Sequence, residues 1–193
     1  MSTAIQAIVF DFFGVICSEI TPFVLPRYMS AEAAIEYKAS VVERADLGEI
    51  DLADVLKHLS ERTGAAPATL EDAFWSCVKI DADVVALMEA LRGKYKVALL
   101  SNAMRPFLQQ ILDKHDLVRR FDTMVISCEE HLTKPNPAIY RLMSERLGLP
   151  VSACFFTDDN PANVAAAVSV GMTAVQFTGI DALKRELAAR GIL

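Results

Sequence analysis

Cysteine and histidine are scarce in this sequence, and neither occurs at the short spacings that zinc sites require. The four cysteines lie 60, 51 and 26 residues apart, far from the paired spacing of zinc or redox motifs. The three histidines are equally scattered, and a lone histidine is more often structural than a ligand. We expect the cysteines to be reduced thiols in the core, and we assign no catalytic or metal-binding role to the cysteines or histidines.

Basic charge and long apolar runs are also lacking. The formal net charge is −6 and the pI is near 5.1, so no basic surface is available for nucleic acid or anionic lipid. Charged residues interrupt every apolar run well before the roughly 18 residues needed to cross a bilayer. The opening MSTAIQ has no basic residue, unlike a signal peptide. We therefore expect a cytoplasmic protein, a monomer or homodimer, whose partner is a small molecule, with no nucleic-acid or membrane partner.

Hydrophobic periodicity predicts an α/β organisation for the 193 residues. Residues 5–10 predict a first strand, and from about residue 86 helix-like and strand-like segments alternate. This alternation predicts a mostly parallel sheet covered by helices and joined by right-handed crossovers. The later predicted segments are helix 82–92, strand 96–101, helix 104–114, strand 122–127, helix 137–147, strand 153–157, helix 161–170, strand 173–177 and helix 181–190.

The residues between the first and second strands have apolar side chains at helical spacing. Residues 52–59 carry four such positions, and similar amphipathic stretches cover about 31–45 and 68–78. Several helices inserted at this point are typical of a lid that excludes water and contacts a substrate. A helical layer packed permanently on the sheet is the alternative.

The first strand ends on a carboxylate. In the segment IVFDFFGVI, Asp11 follows an apolar run and precedes Gly14. A buried strand that ends in this way brings a charged group to the edge of the sheet where open α/β folds bind ligands. Asp11 is therefore a candidate nucleophile, and the alternative is an aspartate that only starts a turn.

Two further strand ends carry residues suited to anions. In LLSNAMRPF, Ser101 and Asn102 come between a strand and a predicted helix, where they serve either as helix caps or as ligands for phosphate oxygens. In HLTKPNPAIY, capping explains Asn136 and Pro137 but not Lys134. A lysine at this edge can neutralise a phosphate or steady a carboxylate, and a solvated loop lysine is the alternative.

The segment ACFFTDDNPANVAAAV carries the strongest local signal. Asn160 and Pro161 are a helix cap and a first helical residue, but capping does not explain the adjacent acids Asp158 and Asp159. Their mutual repulsion and partial desolvation are expected to raise a pKa unless a cation compensates. Neighbouring oxygen ligands without histidine or cysteine suit Mg²⁺. Two solvated acids at a helix N-terminus are the alternative.

Four strand ends thus carry polar residues, in the chain order Asp11, Ser101, Lys134, then Asp158 with Asp159. With this set the sequence resembles the haloacid dehalogenase-like (HAD) hydrolase superfamily, from FDFFGV through LLSNA and KPNPAIY to FFTDDNPANVAAA. The resemblance implies an α/β fold with a Rossmann-like parallel sheet, formed by residues 1–16 and 86–193. It also implies an inserted α-helical cap at residues 17–85.

The resemblance further implies a reaction and the residues that perform it. Asp11 is expected to attack the phosphorus of a small phosphorylated metabolite and form an aspartyl-phosphate. Ser101 and Lys134 are expected to hold the transferring group, with Asn102 also binding substrate. Mg²⁺ is the implied cofactor. Its implied ligands are Asp11, the main-chain carbonyl of Phe13, Asp159 and, directly or through water, Asp158.

One position departs from the pattern of the phosphatases in this superfamily. They usually carry a second aspartate two residues after the nucleophile as general acid and base, and Phe13 stands there in this chain. Its carbonyl can still bind a metal, but its side chain cannot transfer a proton. Ser18, Glu19 and residues of the cap are conceivable substitutes, and nothing in the spacing selects one of them.

Phe13 also leaves other functions open. The 2-haloacid dehalogenases of the superfamily have an aromatic residue at this place, need no metal and attack carbon, but they lack the acid pair. Phosphonate hydrolases also lack the second aspartate and use a cap lysine. The available lysines are Lys38, Lys57 and Lys79. A third alternative is a non-catalytic HAD-like protein that binds a phosphorylated ligand.

The missing acid generates a first prediction. The substitution Phe13→Asp is expected to raise the turnover of alkyl phosphates more than that of p-nitrophenyl phosphate, whose leaving group hardly needs a proton. Steady-state kinetics of both substrates with both proteins provide the measurement. Equal effects on the two substrates would contradict this account of position 13.

Overall fold

Five parallel strands form the centre of the structure, a computed structural model that describes residues 4–193. The first three residues, part of the opening segment and of the predicted 1–16 core range, lie outside the described chain. The sheet order is β3-β2-β1-β4-β5. The strands are β1 (Ala7–Phe10), β2 (Lys96–Ser101), β3 (Thr123–Ile126), β4 (Cys154–Asp158) and β5 (Thr173–Gln176).

Helices connect these strands and follow the last of them. Between β1 and β2 lie α1 (Thr21–Val24), α2 (Ala31–Tyr37), α3 (Glu43–Asp46), α4 (Leu52–Thr63), α5 (Pro67–Ser76) and α6 (Ala82–Leu91). After β2 come α7 (Phe107–Lys114), α8 (Ser127–Glu130), α9 (Pro137–Leu147), α10 (Pro161–Ser169) and α11 (Ile180–Ala188). The expectation of an α/β fold with a parallel sheet and flanking helices is confirmed.

The two faces of the sheet pack against different helices because successive strand residues point to opposite sides. Ile8 and Phe10 join one buried cluster, which extends into the inserted helices, whereas Ala7 and Val9 join another that includes residues of α9 and α10. All four residues of β1 are buried, as the near-continuous apolar run of a parallel strand requires. The separation of 17–85 from 1–16 and 86–193 as a cap stays a prediction.

The helix caps follow the sequence in two places and differ from it in a third. Asn136 accepts a hydrogen bond from the backbone N–H of Ala138, and Asn160 accepts one from Ala162, so both predicted caps are confirmed. The helix after β2 begins at Phe107 and not at 104, with Pro106 as its N-cap residue. Neither Ser101 nor Asn102 caps this helix, because the chain first forms a loop.

The remaining sequence expectations concern cysteines and membranes. All four cysteines are free and buried, as expected for core thiols. Among the described residues, no helix combines the length and the apolar character that a bilayer crossing demands.

The topology fixes where a ligand site can form. Strand β1 pairs with β2 on one side and with β4 on the other. The chain therefore adds β2 and β3 on one side of β1, and β4 and β5 on the other side. Open α/β sheets bind ligands at such a switch point, outside the carboxyl ends of the strands. Asp11 follows β1, and Asp158 ends β4, so both acids lie there.

Candidate active site

A buried lysine joins two of the predicted carboxylates. Lys134 is 4% exposed, and its Nζ lies 2.6 Å from Asp11 Oδ1 and 2.6 Å from Asp158 Oδ2. A buried ammonium is stable only when it is paired and hydrogen-bonded, and these two contacts supply both. The lysine therefore ties the end of β1 to the end of β4.

Asp158 is the anchor of this arrangement. Its side chain is fully buried and accepts hydrogen bonds from the backbone N–H of Asn160 at 2.8 Å and from Asn163 Nδ2 at 3.0 Å. Tyr140 donates its hydroxyl to the carbonyl of Asn163 at 2.9 Å, which fixes that residue in turn. Asn163 thus braces the loop, and Asp158 holds the lysine in place.

The predicted acids come together as a group that could hold a metal ion. Asp11, Asp158 and Asp159 each offer a carboxylate oxygen, and these oxygens lie within 4.8 Å of one another. The backbone N–H of Asp11 donates to the carbonyl of Thr157 of β4 at 3.0 Å, so the sheet ladder continues to Asp11 and fixes its distance from the acid pair. An all-oxygen donor set fits Mg²⁺ and not zinc.

Gly14 makes room for one of these acids. Its φ is +83°, and a Cβ added there would lie 2.3 Å from Asp159 Oδ2. The close approach of backbone and carboxylate therefore requires glycine at this position for both space and conformation.

Burial disfavours the charged forms of Asp11 and Asp159 and raises the pKa of each. Desolvation raises the pKa of Asp11 well above its usual range, and the charge of Asp158 adds to this effect, whereas Lys134 opposes it. Desolvation and the neighbouring Asp158 likewise raise the pKa of Asp159. Burial alone lowers the pKa of Lys134, but its two carboxylate partners outweigh burial and raise it. A further positive charge in the cluster would therefore favour the ionised forms of Asp11 and Asp159.

The two residues after the second strand have different surroundings. Asn102 Nδ2 donates to the carbonyl of Lys134 at 2.9 Å, and the backbone N–H of Lys134 donates to Asn102 Oδ1 at 2.8 Å. Asn102 thereby positions the loop that carries the lysine. Ser101 is fully buried, and its hydroxyl donates to the carbonyl of Asn102 at 3.3 Å, so its Oγ is turned toward the backbone.

A cavity of about 450 Å³ lies above these residues, within the size range of small-molecule sites. Asp11, Phe13, Asn102, Lys134 and Asp159 contribute to its wall from the sheet edge. The inserted segment contributes charged residues that the strand-end motifs do not indicate. These are Glu19, Lys38, Glu43 and Asp46.

The candidates for the missing proton donor differ in their placement. Ser18 donates its hydroxyl to the carbonyl of Cys77, which ties it away from the cavity. Glu19 lines the cavity and has a pKa raised by burial and by the charge of Asp159. Asp46 was missed by the sequence motifs, although its spacing of four from Val42 places both on one helix face.

The match to a family model includes all of these residues. The model of the haloacid dehalogenase-like hydrolases matches residues 5–171. The sesquiterpene phosphatase astK of Aspergillus oryzae is 25% identical over 191 residues, which cover 97% of each chain. The (S)-2-haloacid dehalogenase 4A of Burkholderia cepacia is 30% identical over 124 residues, which cover 62% of this chain and 52% of that protein.

Solved structures agree on the fold. A HAD family enzyme of Bacteroides thetaiotaomicron, crystallised with magnesium and inorganic phosphate, aligns with a TM-score of 0.75 and 20% identity. The alignment covers 90% of this chain and 94% of that one. At this level of identity the likeness extends to the fold and no further.

Gly14 generates a prediction about the cation site. In Gly14→Ala the new methyl group must displace Asp159, so we expect Mg²⁺ affinity to fall by about tenfold or more, measured by isothermal titration calorimetry. Gly93→Ala is the matched control, because Gly93 has a φ of +88° but no atom within 4 Å of the added Cβ. Equal Mg²⁺ affinity in the two variants would contradict the role given to Gly14.

Proposed function

The chain belongs to the haloacid dehalogenase-like hydrolases, and within this family we propose that it is a magnesium-dependent phosphatase of small phosphorylated metabolites. The observation that carries the proposal is the convergence of Asp11, Lys134 and Asp159 on one cavity. A nucleophile, a fixed cation and a metal ligand are the groups that phosphoryl transfer needs. The similarity to a phosphatase along almost the whole chain gives further support.

The residues at the sheet edge fit a magnesium ion. Asp11 and Asp159 would hold it with their carboxylates, Phe13 with its main-chain carbonyl, and Asp158 directly or through water. When bound, Mg²⁺ supplies positive charge that neutralises the phosphate oxygens.

The residues of the chain perform the remaining steps. A carboxylate oxygen of Asp11 attacks phosphorus, the bond from phosphorus to the leaving oxygen breaks, and an aspartyl-phosphate forms. The Lys134 ammonium, already held against Asp11, stabilises the negative charge on the transferring group. The contact of Ser101 with a phosphate oxygen, which the family resemblance implies, stays a prediction, because its fully buried hydroxyl donates to the Asn102 carbonyl and is not part of the cavity lining. Water then hydrolyses the intermediate and releases phosphate.

A dehalogenase is the second candidate, because two of the similar proteins are haloacid dehalogenases. Its substrate carries a carboxylate, which would face Asp159 next to the nucleophile without a metal to separate the charges. This repulsion disfavours a metal-independent reaction. We further propose a cytoplasmic location, since small phosphorylated metabolites are found there.

One substrate panel tests the proposed function. We expect Mg²⁺-dependent phosphate release from p-nitrophenyl phosphate, acetyl phosphate or sugar phosphates, abolished by EDTA and by either Asp11→Asn or Asp159→Asn. Halide release from 2-chloropropionate that persists in EDTA would establish the dehalogenase instead. Inactivity on every substrate, together with a ligand-induced rise in Tm, would indicate a binding protein.

A further inference from the structure

One wall of the cavity is the face of a single long helix. The helices α2 and α3 are joined by a π-helical segment, Lys38–Val42, so the chain is helical from residue 31 to 46. Such segments are uncommon and frequently occur at functional sites. The residues of this helix that line the cavity are Ile35, Lys38, Ala39, Val42, Glu43 and Asp46, of which Ile35 is 72% exposed. They extend over about 16 Å of helix.

A second part of the cavity lining, the aromatic wall, consists of phenylalanine rings. Phe13 stacks against Phe107 with ring centroids 6.5 Å apart, and Phe74 meets Phe107 edge to face at 5.9 Å. All three rings line the cavity, together with Ile20 and Met104. Phe13 thus contributes an apolar surface at the position where related phosphatases carry an acid.

The charged residues of the cavity are unbalanced. The lining contains two lysines, Lys38 and Lys134. It contains five acids, which are Asp11, Glu19, Glu43, Asp46 and Asp159. With Mg²⁺ and Lys134 a phosphate group is compensated, but a second anionic group farther up the cavity would be repelled and poorly solvated.

We propose that the substrate is a phosphate monoester of an apolar alcohol, with its phosphate at Lys134 and its hydrocarbon chain between the aromatic wall and the helix. The proposal rests on the proposed function and adds the substrate class to it. Burial of the chain stabilises the complex through the hydrophobic effect. The acids of the cavity discriminate against nucleotides and sugar acids.

A chain-length series tests this proposal. With Mg²⁺ present, kcat/KM for decyl phosphate is expected to exceed that for ethyl phosphate by about tenfold or more, and to exceed that for glucose 6-phosphate and AMP. Equal values, or a preference for the sugar or the nucleotide, would overturn it. If p-nitrophenyl phosphate and all of these esters release no phosphate, the proposed function fails instead.

Two matched variants sharpen the result. Ile35 lines the mouth and is 72% exposed, so Ile35→Ser leaves the core intact and is expected to lower the ratio of kcat/KM for decyl over ethyl phosphate severalfold. Val168, 53% exposed on α10, lies outside the cavity lining. Val168→Ser is expected to leave the ratio unchanged. A ratio that falls equally in both variants would contradict the placement of the chain.

A second inference concerns proton transfer and rests on how Asp46 is held. The Ser127 hydroxyl donates to the carbonyl of Asp46 at 2.5 Å and accepts the backbone N–H of Ala103 at 3.0 Å. The two residues after Asp46, Leu47 and Gly48, also contact the segment that follows β3. His131 Nδ1 lies 2.8 Å from the Leu47 carbonyl, and a Cβ on Gly48 would lie 2.2 Å from the Cys128 carbonyl oxygen.

We infer that the Asp46 carboxyl replaces the acid missing at position 13. As Asp11 bonds to phosphorus, the Asp46 proton passes to the leaving oxygen, whose bond to phosphorus breaks. The Asp46 carboxylate then takes a proton from the water that hydrolyses the aspartyl-phosphate. This inference also rests on the proposed function, and it explains how alkyl phosphates turn over without an acid at Phe13.

The electrostatic surroundings of Asp46 suit this role. Desolvation raises its pKa to about 7, so at neutral pH it is part protonated and part ionised, which a group that both gives and takes a proton needs. The charged groups that act on it are Lys38 and Lys134, which lower its pKa, and Glu43 and Glu19, which raise it.

The role of Asp46 is tested by comparing substrates whose leaving groups differ in their need for a proton. Asp46→Asn keeps the backbone contact to Ser127, and we expect it to lower kcat for ethyl phosphate by about 10²–10⁴-fold while p-nitrophenyl phosphate loses far less. Phe13→Asp added to this variant is expected to restore more activity on ethyl phosphate than it adds to the wild type. Glu19→Gln is the matched control, since Glu19 is the rival acid. A selective loss in Glu19→Gln, or equal losses on both substrates in Asp46→Asn, would overturn the inference.

Discussion

The structure depends on one buried ammonium held between two buried carboxylates. Lys134 contacts Asp11 at the end of β1 and Asp158 at the end of β4, and removing the lysine would leave two buried carboxylates without a compensating charge. The surrounding polar groups serve this contact. Asn163 and Asn160 hold Asp158, and Asn102 holds the backbone of the lysine.

The strand ends were predictable from the sequence because parallel topology brings their carboxyl edges together whatever the loops do. An apolar run that ends in Asp11, and another that ends in Asp158 and Asp159, locate the acids without knowledge of any side-chain contact. The same logic locates Lys134, since capping explains Asn136 and leaves the lysine unexplained. The fold class and the meeting of these residues follow from such local patterns.

The cavity wall was not predictable in the same way. An amphipathic pattern over residues 31–45 shows that a helix packs on something, but the π-helical segment at Lys38–Val42 shifts which residues share a face. The stack of Phe13 on Phe107 joins residues far apart in the chain. The direction of the Ser101 hydroxyl also depends on the loop before α7. This helix begins at Phe107, three residues later than the hydrophobic periodicity predicts.

The ladder between β1 and β4 has a consequence for how such a protein can diverge. Phe10 pairs with Thr157, so the spacing of neighbouring strands, about 4.8 Å, sets the separation of Asp11 from Asp158 and Asp159 independently of the inserted helices. The inserted helices carry Ile35 and Asp46, whereas the sheet edge carries Asp11 and Asp159. A recombination event that exchanged the insertion would therefore replace the cavity wall that carries Ile35 and Asp46 as one unit, and would leave Asp11 and Asp159 at the sheet edge unaltered.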